Sequence, residues 1–380
     1  MMHLPKQLAI SLVVASSLIA ASANARLPDE TVGSTTLSLP DDHRSYMVDF
    51  EFNNMVSTRV VVIDPDNQKY LGMLPTGHAA PATLSRDRKT IFTADFFYTR
   101  YVRGERTDVL TAWDSQTLSP KWELEVSSKR AFTLTERFSL ATSADDKFVY
   151  IYNFTPSTSV TVVDTTKQEM VNEIATNGCI LNYPVGDRRF ASLCGDGSLQ
   201  MITLNDNGEE VDRTRTTFFD PDAVKLVERA TVVGEIYYFV TTSGEVVPVD
   251  LSGDEPKPLP RWSLVTPEEL AEGWAPGGWQ MLAAAPALNR LYVLMHPDHE
   301  AYKWEDPSQI IWEFDLKTGE KIGTLESPNL IWSLSATSDD KPLLLGANIE
   351  GGLEIFDLST GEHNGTMAGV TKTPTLILNH

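Results

Sequence analysis

Several kinds of residue in this sequence could carry chemistry. His296-Pro297-Asp298-His299 sets two imidazoles three positions apart, close enough to share a metal. The proline between them forbids a clean helical turn, and no third ligand accompanies them, so a solvated loop is the plainer reading. His43, His78, His363 and His380 stand alone in turns or tails, and His3 lies at the N-terminus. The 52 acidic residues are scattered over turns rather than paired for acid–base work. Eight tryptophans raise the possibility of a docked quinone. Yet Trp113 and Trp312 close apolar strands, and Trp274 and Trp279 flank Pro276-Gly277-Gly278, so core packing accounts for most of them. The sequence has no phosphate-binding glycine loop, no dinucleotide fingerprint and no nucleophile elbow. No self-contained active site emerges.

The two cysteines, Cys179 and Cys194, are separated by a strand-like stretch, Ile180-Leu181-Asn182-Tyr183, and a turn at Pro184 to Gly186. Adjacent antiparallel strands would bring the sulfurs together. A disulfide there closes a loop of roughly 15 residues and is worth about 3 kcal/mol in the chain-entropy model. The alternative is two buried free thiols. The N-terminus favours the disulfide. Lys6, an apolar run over residues 8–21 and Ala23-Asn24-Ala25 read as a secretory signal cleaved after Ala25. The run is short for a membrane span, and an uncleaved anchor is the alternative. Exported thiols oxidise. The expected layout is a signal peptide over 1–25, a single domain over 26–380 and a periplasmic location.

The elements that must position any site follow from a repeat. An apolar strand ends in Asp, and a polar turn then leads into the next strand. The clearest copies are Val60-Val61-Val62-Ile63-Asp64, Leu110-Thr111-Ala112-Trp113-Asp114, Val160-Thr161-Val162-Val163-Asp164 and Ile311-Trp312-Glu313-Phe314-Asp315. Further copies end at Asp250 and Asp357, with a weaker one at Asn205. Asp opens such turns because its carboxylate accepts backbone N–H groups two residues on. A second marker precedes several copies: Ser85-Arg86-Asp87, Ser143-Ala144-Asp145 and Thr337-Ser338-Asp339. Markers recurring every 40 to 65 residues or so, about four strands apart, predict an all-β fold. The expected architecture is a seven-bladed β-propeller with four-stranded antiparallel blades, closed by residues 372–378. One insertion is expected to form a helix, with Thr266 as N-cap, Glu269 completing a capping box and Gly273 as the stop.

Composition narrows the partners. The chain has 380 residues, is 42% apolar and carries a net charge of −21. It is neither disordered nor a disulfide framework. Its charge repels nucleic acid and anionic lipid, so a macromolecular partner should be another protein.

Four stretches carry a family resemblance: Arg103-Gly104-Glu105-Arg106-Thr107-Asp108, Gly273-Trp274-Ala275-Pro276-Gly277-Gly278-Trp279-Gln280, Cys179 with Cys194-Gly195-Asp196-Gly197-Ser198-Leu199, and Asp315-Leu316-Lys317-Thr318-Gly319. Collinear along the mature chain, they resemble the heavy (large, α) subunit of the tryptophan-tryptophylquinone amine dehydrogenases, which cover methylamine and aromatic amine dehydrogenase. The resemblance implies a seven-bladed propeller in an α2β2 periplasmic enzyme. That enzyme converts a primary amine to aldehyde and ammonia and passes electrons to a cupredoxin of the amicyanin or azurin type. The resemblance also implies that the quinone is built from two tryptophans of the small subunit, so this chain holds no cofactor or catalytic residue of its own. In methylamine enzymes a Phe near the first blade lines the substrate channel; it maps here to Asn53, beside Phe52. Asn at that position implies a different amine preference, and Phe52 reads alternatively as an interface or core residue. Both are expected on a propeller face. Tyr302-Lys303 departs from the family's His-Lys, and Met295-His296-Pro297-Asp298 and Ser252-Gly253-Asp254-Glu255 lean towards the aromatic branch. The rival readings are a non-catalytic periplasmic propeller that scaffolds or binds a partner, and an independent quinoprotein.

Overall fold

The computed structural model describes residues 35–131, 133–297 and 303–380. The expected signal segment 1–25 and its cleavage site lie outside the described residues, as do Asp298, His299 and Tyr302. Residues Thr36–His380 form one compact unit built almost wholly of antiparallel strands.

The uninterrupted apolar runs belong to strands buried on both faces. In the strands Ser45–Asp49 and Arg59–Asp64, successive side chains point to opposite sides. Tyr46, Val48, Val60 and Val62 pack against Ala82, Ile91 and Trp113 of the following sheet. Met47, Val61 and Ile63 pack against Leu343, Leu345 and Ile355 on the other side. The same division recurs where Tyr150 and Val162 meet Phe190 and Ile202. Each core cluster therefore lies between neighbouring sheets, which is the packing of a propeller.

Five sheets stand separately among the described residues. The first holds Pro374–Leu378, Ser45–Asp49, Arg59–Asp64 and Lys69–Pro75, inner strand to outer. The second holds Ala82–Leu84, Thr90–Arg100, Arg103–Asp114 and Pro120–Val126. The third begins at Leu140–Thr142, the fourth at Cys179–Val185 and the fifth at Leu226–Val233. The expectation of seven separate blades is corrected by the remainder, which is a single eight-stranded sheet. Its central strand, Lys321–Ala336, is 16 residues long. Residues 321–326 pair with the strand Ser308–Asp315, and residues 331–336 pair with Leu343–Asn348. Pairing jumps from Glu326 to Ile331, opposite Ile310 and Ser308. Residues 327–330, four against the single Gln309, leave the ladder without ending the strand, so two expected blades share one backbone.

Ring closure follows expectation. Tyr46 pairs with Leu378 and Val48 with Leu376, placing strands from both ends of the unit in one sheet. The cysteines are also as expected. They face each other in register on Cys179–Val185 and Arg189–Cys194, joined as a disulfide with Cα atoms 3.8 Å apart.

The turns divide into two sets. Asp114 accepts from the Gln116 and Thr117 amides at 3.0 and 2.9 Å, and Asp315 from Lys317 and Thr318 at 2.9 and 3.0 Å. Ser85, Ser143 and Thr337 each donate a hydroxyl, at 2.7 Å, to the Asp two residues on. Strand alternation brings both markers to one side, termed the Asp-turn face. The connections between second and third strands and the crossovers between sheets emerge on the opposite, crossover face. These are irregular in length. One carries the expected helix, Pro267–Ala271, whose capping box joins the Glu269 amide to Thr266 Oγ1 (3.1 Å) and the Thr266 amide to Glu269 Oε2 (2.9 Å).

Candidate functional site

Phe52 and Asn53 lie on the crossover face, in a single 3-10 turn, Phe52–Asn54, between the second and third strands of the first sheet. Phe52 is 48% exposed. The turn is held from below. Buried Asp49 accepts from the backbone amides of Thr373 (2.7 Å) and Lys372 (3.0 Å) and from Arg59 Nε (2.9 Å). The Phe50 amide donates to the Thr373 carbonyl at 3.0 Å, and its buried ring meets Phe52 edge to face at 5.3 Å. Glu51 between them has φ of +48°, a left-handed conformation that a non-glycine residue adopts at a cost. The backbone thus turns sharply and projects Phe52 outward.

The second sheet supplies a neighbour that sequence reasoning missed. Its strands Thr90–Arg100 and Arg103–Asp114 run 11 and 12 residues and extend past the blade as a hairpin. At its tip Tyr101 is 68% exposed and donates its hydroxyl to Asn54 Oδ1 at 3.1 Å. Val102, Phe97 and Phe154, the last from the corresponding connection of the third sheet, are also exposed. Together with Phe52 they give the crossover face an apolar rim of the kind that marks protein contact sites. The signal for it was the aromatic density of Phe96-Phe97-Tyr98-Thr99-Arg100-Tyr101, beyond the length one blade needs.

The resemblance motifs have structural roles here. Arg106 forms a bidentate pair with fully buried Asp108 (2.6 Å for each bond) and lies over the Phe96 ring, 4.1 Å from its centre. Gly278 has φ of +113°, and a side chain there would meet the Trp332 carbonyl at 2.8 Å. That close approach sets Trp279, whose amide donates to Trp332 O at 2.6 Å and whose indole donates to Thr135 O at 2.9 Å.

Trp279 is one wall of a charged cluster at the crossover end of the central channel. Arg229, on the inner strand Leu226–Val233, lies 3.5 Å from the Trp279 ring centre and 4.7 Å from that of Trp304. It pairs with Glu136 (3.2 Å), Glu305 (2.9 Å) and Glu228 (3.4 Å). Trp332 donates its indole N–H to the Glu305 carbonyl at 2.8 Å. One arginine thereby ties together a crossover, an inner strand and the connection that carries Trp304. Beneath it a void of only about 10 Å³ remains.

Burial pushes the Glu136 carboxyl up to about 7, with Arg229 pulling the other way and Glu228 and Glu305 adding to the rise. A carboxyl raised from 4.5 binds more proton in the folded state. Its contribution to stability is therefore fullest below about 4.5 and is lost as pH rises through about 7. In that window Glu136→Gln should remove a falling slope of up to about 1.4 kcal/mol per pH unit from the denaturation-derived stability curve. A variant whose curve parallels the wild type's would assign the titration elsewhere.

Of the remaining sequence candidates, His296 is buried on the strand Arg290–His296, while its suggested companion His299 is outside the described residues. Among the described residues, no group of three or more His, Cys, Asp or Glu could hold a metal. No helix of the described residues is long and apolar enough to cross a membrane.

Sheets sealed by Asp turns on one side, facing an irregular, aromatic-rimmed side, define a propeller scaffold with one face suited to contact. Residues 41–380 match the family model of the methylamine dehydrogenase heavy chain, and the chain belongs to that family. It is 28% identical over 385 residues to the methylamine dehydrogenase heavy chain of Methylophilus methylotrophus, covering 97% of this chain and 93% of that one. It is 28% identical to the heavy chain of Methylorubrum extorquens, over 83% of this chain and 78% of that one. Among solved structures, it resembles a functionally unknown protein from Desulfotomaculum acetoxidans, with a TM-score of 0.60 and 12% identity over 89% of this chain and 98% of that one. A putative 6-phosphogluconolactonase from Bacteroides fragilis superposes with a TM-score of 0.57 at 14% identity, over 90% of this chain and 99% of that one. These two likenesses speak to the fold alone.

Proposed function

We propose that this chain is the large subunit of a periplasmic amine dehydrogenase and that a small subunit bearing tryptophan tryptophylquinone docks on its crossover face. Family membership over residues 41–380 carries the reading. The apolar rim around Phe52 and Tyr101 supports the docking surface. The quinone of the partner would supply the two-electron chemistry that turns a primary amine into aldehyde and ammonia, with a cupredoxin taking the electrons. In an α2β2 assembly this chain's part is to seat the small subunit and shape the amine's approach. Phe52 would press against the partner, and Asn53 would border the substrate route.

Co-expression with a small subunit should yield a complex with quinone absorbance and amine:dye oxidoreductase activity. A lone monomer without that activity would overturn the reading. Within the complex, Asn53→Phe should shift the kcat/KM ratio of methylamine to phenylethylamine by about tenfold or more, the range one side chain's bulk confers in a pocket. Unchanged ratios would remove Asn53 from the substrate route while leaving the assembly intact.

A further inference from the structure

The central channel is closed at its crossover end by the Arg229 cluster and open towards the Asp-turn face. There it holds a cavity of about 410 Å³ and, beside it, one of about 260 Å³. Both are lined by Arg86, Arg137, Asn379 and His380. Neither the Arg86 nor the Arg137 guanidinium forms a salt bridge or hydrogen bond with the described residues. The Asn379 side chain accepts from Ser335 Oγ at 3.1 Å, but its Nδ2 is buried without a partner among the described residues, as is His380 Nε2. Glu235 is the one carboxylate side chain lining either cavity. In a chain with 52 acidic and 31 basic residues, two arginines without a carboxylate partner around one cavity run against composition.

We propose that this channel mouth binds a small multivalent oxyanion, a phosphate or dicarboxylate, held by Arg86 and Arg137 with Asn379 and His380 as further donors. Its position is preorganised. Asp146 accepts the Arg86 and Asp87 amides at 2.8 and 3.0 Å and fixes the turn that presents Arg86. Arg88, on the same turn, is already paired with Asp42 and does not compete. Burial and the nearby Arg86 both hold the Arg137 guanidinium below its ordinary value. Burial, with Arg88 and Arg86 close by, keeps His380 down at about 4, a neutral imidazole at pH 7. Asp146 and Glu235 lie nearby, but neither forms an ion pair with Arg86 or Arg137, and an anion bridging the two guanidiniums would relieve their mutual repulsion. The surface field of the whole chain repels anions, so saturable uptake has to be local. The site lies on the face opposite Phe52 and does not depend on the subunit proposed to dock there.

Calorimetric titration of the full chain at pH 7 and low salt, with inorganic phosphate and separately with succinate, tests this. At least one probe should bind with one-to-one stoichiometry and a Kd below about 1 mM. Arg86→Gln and Arg137→Gln should each weaken it by about tenfold or more, and Arg86→Lys should recover part of the loss. Should Arg137→Gln fail to fold, the exposed Arg86 decides alone. No saturable binding of either probe up to about 10 mM, or undiminished binding by Arg86→Gln, would overturn the proposal.

Discussion

Arg229→Met should lower the stability of this chain by about 3–5 kcal/mol at pH 7, the largest loss expected of any single substitution considered. The side chain is 8% exposed, and its removal strands Glu136, Glu228 and Glu305 together without a cation. It also strips the guanidinium from between Trp279 and Trp304, a contribution of about 1 kcal/mol or more where the site is dry. The double variant Arg229→Met with Glu136→Gln should recover part of the deficit, because the better buried of the stranded carboxyls is then neutral. Urea denaturation of the three proteins measures both effects. A deficit below about 1 kcal/mol would mean that the cluster behaves as an exposed ion pair.

The second large effect is expected at the disulfide. Replacing Cys179 and Cys194 together by alanine should cost about 3 kcal/mol, since the bridge closes a loop of sequence separation 15 and restricts the unfolded chain. Both sulfurs are buried and the Cα atoms are directly opposed, so the native strands can keep their register without the bond. The folded protein should therefore retain its strand content, with a lower urea midpoint and little change in slope. Reductant should shift the wild type towards the variant and leave the variant unmoved. A wild-type midpoint matched by the variant would show that sheet packing alone holds this part of the ring.

What the sequence disclosed and what it hid lie on different faces. Asp114, Asp164 and Asp315 each serve a local turn, accepting amides two or three residues on, so their meaning is carried within a few positions. The same holds for the Thr266–Glu269 box and for the facing cysteines. The crossover face was hidden because its contacts are long-range. Arg229 meets residues 93 and 76 positions away, and no local pattern announces such a pairing. The resemblance points to a face position for Phe52, which is exposed there, whereas its neighbour Tyr101 is found only by folding the hairpin over it. The count of separate blades failed for a related reason. Ser327-Pro328 is a sensible place to end a strand, but a bulge passes through it and the ladder continues on both sides.

The pairing of Pro374–Leu378 with Ser45–Asp49 also has a biosynthetic consequence. The innermost strand of the first sheet follows every other strand of the described residues. Until it is made, Ser45–Asp49 presents unpaired backbone groups along a strand with apolar side chains on both surfaces, a template for another chain. A polypeptide interrupted before residue 374 therefore exposes that edge to pairing with other chains. Ring closure thus waits on residues 374–378, which supply the cover that fits that edge in register.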